Sequence, residues 1–280
     1  MIQLHNEDCL QTLGNMDDNT IDLVVTSPPY DNMRQYGGDK TNHKGYSFEF
    51  EEIATQLTRT LKEGGQIIWN VADQILKGTK TGNSMRQCLY FQDELGLRLH
   101  DHIIWKKTGT PFPSQYRYRG IWENIFVFSK GKPTTFNPIY KRNKTAGDKR
   151  TTRHFRNANG EFKLGMENVP VKQFGIDDNV WLIKNGMYHS YTLKELRGHP
   201  AIMPEELAAR AIYSYSNKED IIYDPFMGSG TTGRVARKLG RSFIGSEIHT
   251  PYYELAQQTI EKDIPLEYEW MNTTKLAQFT

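Results

Sequence analysis

Short runs of β-branched and aromatic residues, each ending in turn residues, alternate along this chain with segments of helical period. That alternation restricts the fold to layered α/β architectures. Residues 21–27 (IDLVVTS) and 66–71 (QIIWNV) read as strands buried on both faces. Between them EEIATQLTRTLKEGG puts Ile53, Leu57 and Leu61 on one helical stripe that stops at Gly64-Gly65, which completes a βαβ unit. HDHIIWKK and ENIFVFSK predict a strand hairpin at the edge of the same sheet. Further on, MPEELAARAIYSYS predicts a helix with Pro204 in its first turn, IIYDPF a strand, TGRVARKLG a helix, RSFIGSE a strand and PYYELAQQTIEK a helix. The expected fold is α/β, a doubly wound and mostly parallel sheet.

The pattern is interrupted in the middle. Residues 130–163 carry ten Lys or Arg against two acids, Asp148 and Glu161, a local charge of +8 in a chain whose total is +2. This stretch lacks helical or strand period and mixes its cations with Asn, Thr, Gly and aromatic residues, so it reads as a loop-rich basic surface suited to phosphates. We expect residues 132–195 to form an inserted recognition region, flanked by 1–131 and 196–280 as two halves of one domain. Arg142, Lys144, Arg150, Arg153 and Arg156 are its candidate contacts with nucleic acid. A second basic and aromatic stretch, FPSQYRYRGIW at residues 112–122, precedes it and is expected to extend the same face.

Composition closes off other classes. No apolar run approaches the ~18 residues of a membrane span, so no membrane association is expected. With Cys9 and Cys88 as its two cysteines, the chain is not a disulfide scaffold, and MIQLHNEDC lacks the basic-then-apolar pattern of a secretory signal; a reducing cytoplasm is expected.

Two constellations carry chemistry. The strand IIYD runs into PFMGSGTT, a Gly-rich turn that opens a helix at the carboxyl end of a parallel strand, where α/β sheets bind ligands. Gly228 and Gly230 let backbone approach a ligand, Ser229, Thr231 and Thr232 add hydroxyls, and Asp224 and Phe226 flank the turn. The next strand ends in Glu247, a carboxylate positioned to accept from both ribose hydroxyls of a nucleoside cofactor. The second constellation is TSPPY at residues 26–30. Pro28 and Pro29 fix φ and exclude helix before each proline, so local carbonyls point in set directions. Ser27 Oγ and the Pro28 carbonyl can then accept from an NH₂ group, and Tyr30 offers a ring for stacking on a planar base.

Taken together, TSPPY and DPFMGSGTT resemble the catalytic tetrapeptide and cofactor motif of the amino-methylating DNA methyltransferases. Their order, catalytic motif first, recognition region in the middle and cofactor motif last, is similar to the permuted β class. LKEGGQIIW is similar to the family's helix-to-strand junction after the catalytic strand. The resemblance implies S-adenosylmethionine (SAM) as cofactor and double-stranded DNA as substrate. It implies that Asp8 and Cys9 in HNEDCLQTL lie beside the cofactor adenine, and that His199 and Pro200 border its methionine end. A cognate restriction endonuclease, a homodimeric assembly and a prokaryotic or phage origin are further expectations of that resemblance.

In this family Ser at the first tetrapeptide position is usual for N4 of cytosine and Asp for N6 of adenine. A hydroxyl and a carboxylate both accept from an amino group, so we favour cytosine with adenine as the alternative. The glycine-rich stretch after Tyr30, DNMRQYGGDKTNHKG, is expected to close over the flipped nucleotide with Arg34 near DNA. No metal is expected: His100 and His102 share a strand face at i, i+2, with no third ligand near in sequence. The competing readings are a protein-amide methyltransferase, whose motif order is the reverse, and a DNA-binding module without catalysis.

Overall fold

The computed structural model describes residues 1–29, 49–109, 115–150, 154–165, 168–184, 203–263 and 265–278. The chain forms two compact units, residues 1–137 with 179–266, and residues 138–178 with 267–280. In chain order the first unit opens with β1 (Ile2–His5), α1 (Cys9–Gly14), β2 (Ile21–Thr26), α2 (Phe50–Thr60) and β3 (Leu61–Val71). A small hairpin, β4 (Ile75–Leu76) and β5 (Thr79–Lys80), leads to α3 (Asn83–Leu89), which runs into a π-helical turn at Tyr90–Glu94. β6 (Arg98–Lys107) and β7 (Trp122–Ser129) follow. The second unit holds the short strands β8 (Tyr140–Arg142), β9 (Lys149–Arg150), β10 (His154–Arg156), β11 (Phe162–Leu164), β12 (Val169–Pro170) and β13 (Phe174–Ile176). The first unit resumes with β14 (Val180–Ile183), α4 (Glu205–Tyr215), β15 (Ile221–Asp224), α5 (Thr231–Lys238), β16 (Ser242–Ser246) and α6 (Thr250–Glu261). Helix α7 (Glu269–Gln278) belongs to the second unit.

One eight-stranded sheet, in the order β1-β16-β15-β2-β3-β7-β6-β14, organises the first unit. β1, β16, β15, β2 and β3 are mutually parallel, and β7 runs antiparallel to both β3 and β6. This is the mostly parallel α/β sheet that the strand and helix alternation predicts. Its central strands are buried runs, with Leu23, Val24, Val25, Ile67, Ile68 and Trp69 all without exposed surface. On one face Phe91 meets Trp69 and Phe50 edge to face at ring separations of 5.3 and 5.6 Å, closing a core in which each large side chain removes apolar area from water. Among the described residues no helix is long and apolar enough to cross a membrane.

Several local expectations are corrected. Helix α2 stops at Thr60, four residues before Gly64, because Leu61 is already extended at φ −70° and ψ 132° and pairs with Ile21. Gly64 instead sits within β3 at φ +77°, where a Cβ would lie 2.3 Å from Thr134 Cγ2. The β6–β7 hairpin is not the sheet edge, since β14 pairs in parallel with β6, Trp181 opposite Trp105. Pro204 is the N-cap of α4 and the acids Glu205 and Glu206 fill the first turn, where the helix dipole favours them. His100 and His102 do not share a regular strand face, because the register against β7 shifts between Leu99 and Asp101. His102 bonds to Asn124 Oδ1 at 2.8 Å and stacks on Phe126.

The basic second unit is not all loop. It contains three antiparallel pairs, β10–β11, β12–β9 and β13–β8, and α7 packs on β8 with Tyr140 N donating to Thr274 Oγ1 at 3.1 Å. Among the described residues of this stretch, Lys130 and Lys141 are held by hydrogen bonds and ion pairs. Lys130 Nζ donates to the carbonyls of Thr58 and Leu61 at the end of α2, and Lys141 pairs with Asp177 and Asp178. Arg142, Lys144 and Arg156 are exposed, and Arg156 lies over the Phe162 ring at 4.7 Å. Arg150 pairs through its backbone with Val169, while Arg153 lies outside the described residues.

Candidate active site at the carboxyl edge of the sheet

Parallel strands deliver their carboxyl ends to one edge, and the neighbour order β1-β16-β15-β2 decides which residues meet there. Asp8 follows β1, Glu247 follows β16, the Gly-rich turn follows β15 and Ser27-Pro28-Pro29 follows β2. The two motifs that sequence separates by about two hundred residues therefore leave adjacent strands. Their junction is covalently remote but hydrogen-bonded: Thr26 Oγ1 donates to Asp224 Oδ1 at 2.7 Å.

Asp224 is the hub of that junction. Its Oδ1 also accepts from Phe226 N at 3.1 Å, and its Oδ2 accepts from Thr232 Oγ1 at 2.7 Å. One carboxylate thus fixes the last residue of β2, the first bend of the glycine turn and the start of α5. Complete burial pushes its pKa up to about 6, against the three hydrogen bonds, which favour the ionised form.

The turn itself is shaped by packing. Gly230 caps α5 at φ +82°, a left-handed conformation, and a Cβ there would lie 2.9 Å from Ala256 Cα and 3.0 Å from Ala256 O. α5 and α6 can approach this closely because position 230 has no side chain. Ser229, Thr231 and Thr232 are buried, as is Pro28, while Phe226 is half-buried against the core and Ser27 and Pro29 are half-buried.

Glu247 faces the same turn from the next strand. Its Oε2 accepts from Gly228 N at 3.0 Å and its Oε1 from His249 N at 2.8 Å. Burial raises its pKa, opposed by those two bonds. Each oxygen has a second lone pair, so a carboxylate held in this way still has acceptor capacity for hydroxyl groups. On the flanking strand Asp8 caps α1 by accepting from Leu10 N at 2.8 Å. Cys9 beside it is buried in the core cluster, and burial, with Asp8 adding to it, pushes its thiol up to about 12.

Sequence reading did not single out Thr26, or the chain that ties the cofactor-side strands together. Tyr223 Oη lies 3.0 Å from Ser246 Oγ, which donates to Thr12 Oγ1 at 2.9 Å, and Thr12 donates to Glu7 Oε1 at 2.7 Å. These residues carry no local signal, because each bond joins different elements. Tyr30, Arg34, His199 and Pro200, with the stretch after Tyr30, lie outside the described residues.

The DNA methylase family of N6- and N4-type enzymes matches residues 21–258. The orphan methyltransferase M.BamHII of Bacillus amyloliquefaciens is 45% identical over 254 residues, covering 90% of this chain and 93% of its own length. The Type II methyltransferase M.BglII of Bacillus subtilis is 30% identical over 280 residues, covering 99% of this chain and 74% of its own. Among solved structures, the PvuII DNA methyltransferase (cytosine-N4-specific) has the same fold at a TM-score of 0.66 and 20% identity, covering 98% of this chain and 91% of that one. A SAM complex of M1.HpyAVI matches at a TM-score of 0.55 and 21% identity, over 92% of this chain and 99% of that one. The chain belongs to the N6/N4 DNA methylase family.

Proposed function

We propose that this chain transfers a methyl group from SAM to the N4 amino group of cytosine in double-stranded DNA. The observation that carries the reading is the Thr26–Asp224 bond, which joins the diproline corner to the glycine turn at one sheet edge. Ser27 at the head of the tetrapeptide and the cytosine-N4 specificity named for the PvuII enzyme support the choice of base.

The residues at the edge fit SAM. Glu247, with both oxygens oriented by backbone N–H groups, suits the ribose hydroxyls, and Asp8 at the end of β1 suits the adenine. The turn from Phe226 to Gly230 would lie against the rest of the molecule. When bound, SAM supplies an electrophilic methyl carbon to the amino nitrogen. The chain's own work is orientation: Ser27 Oγ and the Pro28 carbonyl accept the amino N–H bonds, which directs the nitrogen lone pair, and Tyr30 stacks on the base. Extruding the base from the duplex costs a few kcal/mol, offset by those contacts. The exposed Arg142, Lys144 and Arg156 support phosphate contact by the 132–195 region, of which Val180–Ile183 is also a strand of the main sheet.

The Type II name of M.BglII supports a cognate restriction endonuclease as partner, and the orphan name of M.BamHII supports a solitary enzyme. Nucleoside mass spectrometry on DNA from a methylation-free host expressing this chain tests the proposal. N4-methylcytosine is expected; N6-methyladenine overturns the choice of base, and unmodified DNA overturns the activity.

A further inference from the structure

The basic and aromatic stretch at residues 115–122 and the β4–β5 hairpin are separate in sequence, and the fold places them together. Arg117 donates through Nη2 to the Gly78 carbonyl at the hairpin tip, and Lys80 Nζ lies 5.3 Å from the centre of the Trp122 ring. The hairpin starts four residues after β3 ends, and Trp122 begins β7, whose Asn124 pairs with Val71 of β3. Both therefore stand at the edge of the sheet from which Ser27 emerges. β7 is two strands from β2, about 10 Å across at the usual strand spacing.

The acids that border this wall, Asp73 and Glu123, are taken up by Ser84 and Lys107, which leaves its exposed charge positive. Residues 74–87 and 106–122 contain seven Lys or Arg and no Asp or Glu, in a chain of net charge only +2. Lys107 is occupied by Glu123 and Arg86 by Thr81 O and Asn83 Oδ1. Lys77, Lys80 and Arg119 are exposed, as are Tyr116 and Tyr118, whose relative exposures are 88% and 101%. Lys77 adopts φ 48° at the hairpin tip, so the turn that carries its side chain is a strained one for a non-glycine residue.

We infer that the β4–β5 hairpin and residues 115–122 form a DNA-contacting surface carried by the first unit. Lys77, Lys80 and Arg119 contact the phosphates of the duplex beside the flipped base, and Arg117 fastens the two segments into one wall. A duplex presents about one negative charge per 1.7 Å of axis, so a row of cations without interspersed acids is complementary to it. The inference rests on the reading of this chain as a DNA methyltransferase.

The test uses the full chain and a random-sequence duplex, because non-specific binding is dominated by phosphate contacts and needs no recognition site. A Lys77→Ala/Lys80→Ala/Arg119→Ala variant keeps the Arg117 bond that fastens the wall. Each phosphate contact contributes about 0.9 to the slope of log K against log salt. The variant is therefore expected to flatten that slope by roughly two to three and to weaken binding at least tenfold at low salt, with SAM affinity unchanged. Lys218→Ala, at the exposed turn before β15 and so at the opposite edge, is expected to leave the slope as in the wild type. A triple variant with the wild-type slope overturns this inference alone. Wild-type protein that neither binds DNA nor methylates it overturns the methyltransferase reading and this inference with it.

Discussion

Thr26 and Asp224 stand 198 residues apart in sequence and 2.7 Å apart in space, the hydroxyl of one donating to the buried carboxylate of the other. Through that bond the strand that ends in the diproline corner is locked to the strand that ends in the glycine turn. A Thr26→Val substitution keeps the shape and removes the donor, leaving a buried carboxylate short of one partner. Loss of about 1–3 kcal/mol in urea unfolding is expected. A fall in the single-turnover methylation rate that exceeds any change in SAM affinity would mark the bond as one that aligns the two motifs.

Asp224 also sets a pH dependence. Its carboxyl is raised from an ordinary value of 3.8 to about 6 by burial, so between these values the folded state holds a proton that the unfolded state releases. The stability linked to this group is complete below the unfolded value and is lost as pH rises through about 6. Two pKa units correspond to about 3 kcal/mol as an order of magnitude. Asp224→Asn is neutral throughout, so urea midpoints measured from pH 4 to 7 should fall less steeply for the variant than for the wild type.

Gly230→Ala tests the turn. The new methyl group would require a left-handed conformation, at about 1–2 kcal/mol, and would press on the backbone of α6 at Ala256. Overpacking of that kind adds about 1–3 kcal/mol. A lower denaturant midpoint and weaker SAM binding are expected together, because the same turn supports both.

Much of the fold was legible because buried parallel strands are continuous apolar runs, as in IDLVV and IIYD, and because glycine turns and helix stripes punctuate them. What escaped was short or non-local. Val180–Ile183 is an edge strand of four residues with alternating exposure, too brief to declare its partner. The strands of the second unit have two or three residues each, and antiparallel pairing rather than period defines them. Helix α2 ended early because Leu61 was needed for pairing with Ile21, a tertiary demand that outweighed its helical stripe. At the site, the motif residues could be named from type and spacing. Thr26 could not, since its role depends on β2 and β15 being neighbours.

Glu247 can be separated from its structural duty. Glu247→Gln keeps an oxygen for one backbone N–H but loses the negative charge and half the acceptor capacity. SAM affinity measured by calorimetry is expected to fall at least tenfold, while the thermal midpoint stays near the wild-type value because removing a buried charge offsets the lost bond.

On the proposed function, the diproline corner holds the reacting amino group while the glycine turn holds the methyl donor. Ser27→Ala, assayed as purified protein by SAM calorimetry and by single-turnover methyl transfer to DNA from a methylation-free host, addresses both halves at once. SAM affinity within about twofold of the wild type and transfer slowed at least a hundredfold are expected, as for loss of one oriented hydrogen-bonding group at a reacting centre. Transfer at the wild-type rate in that variant would contradict the proposed function.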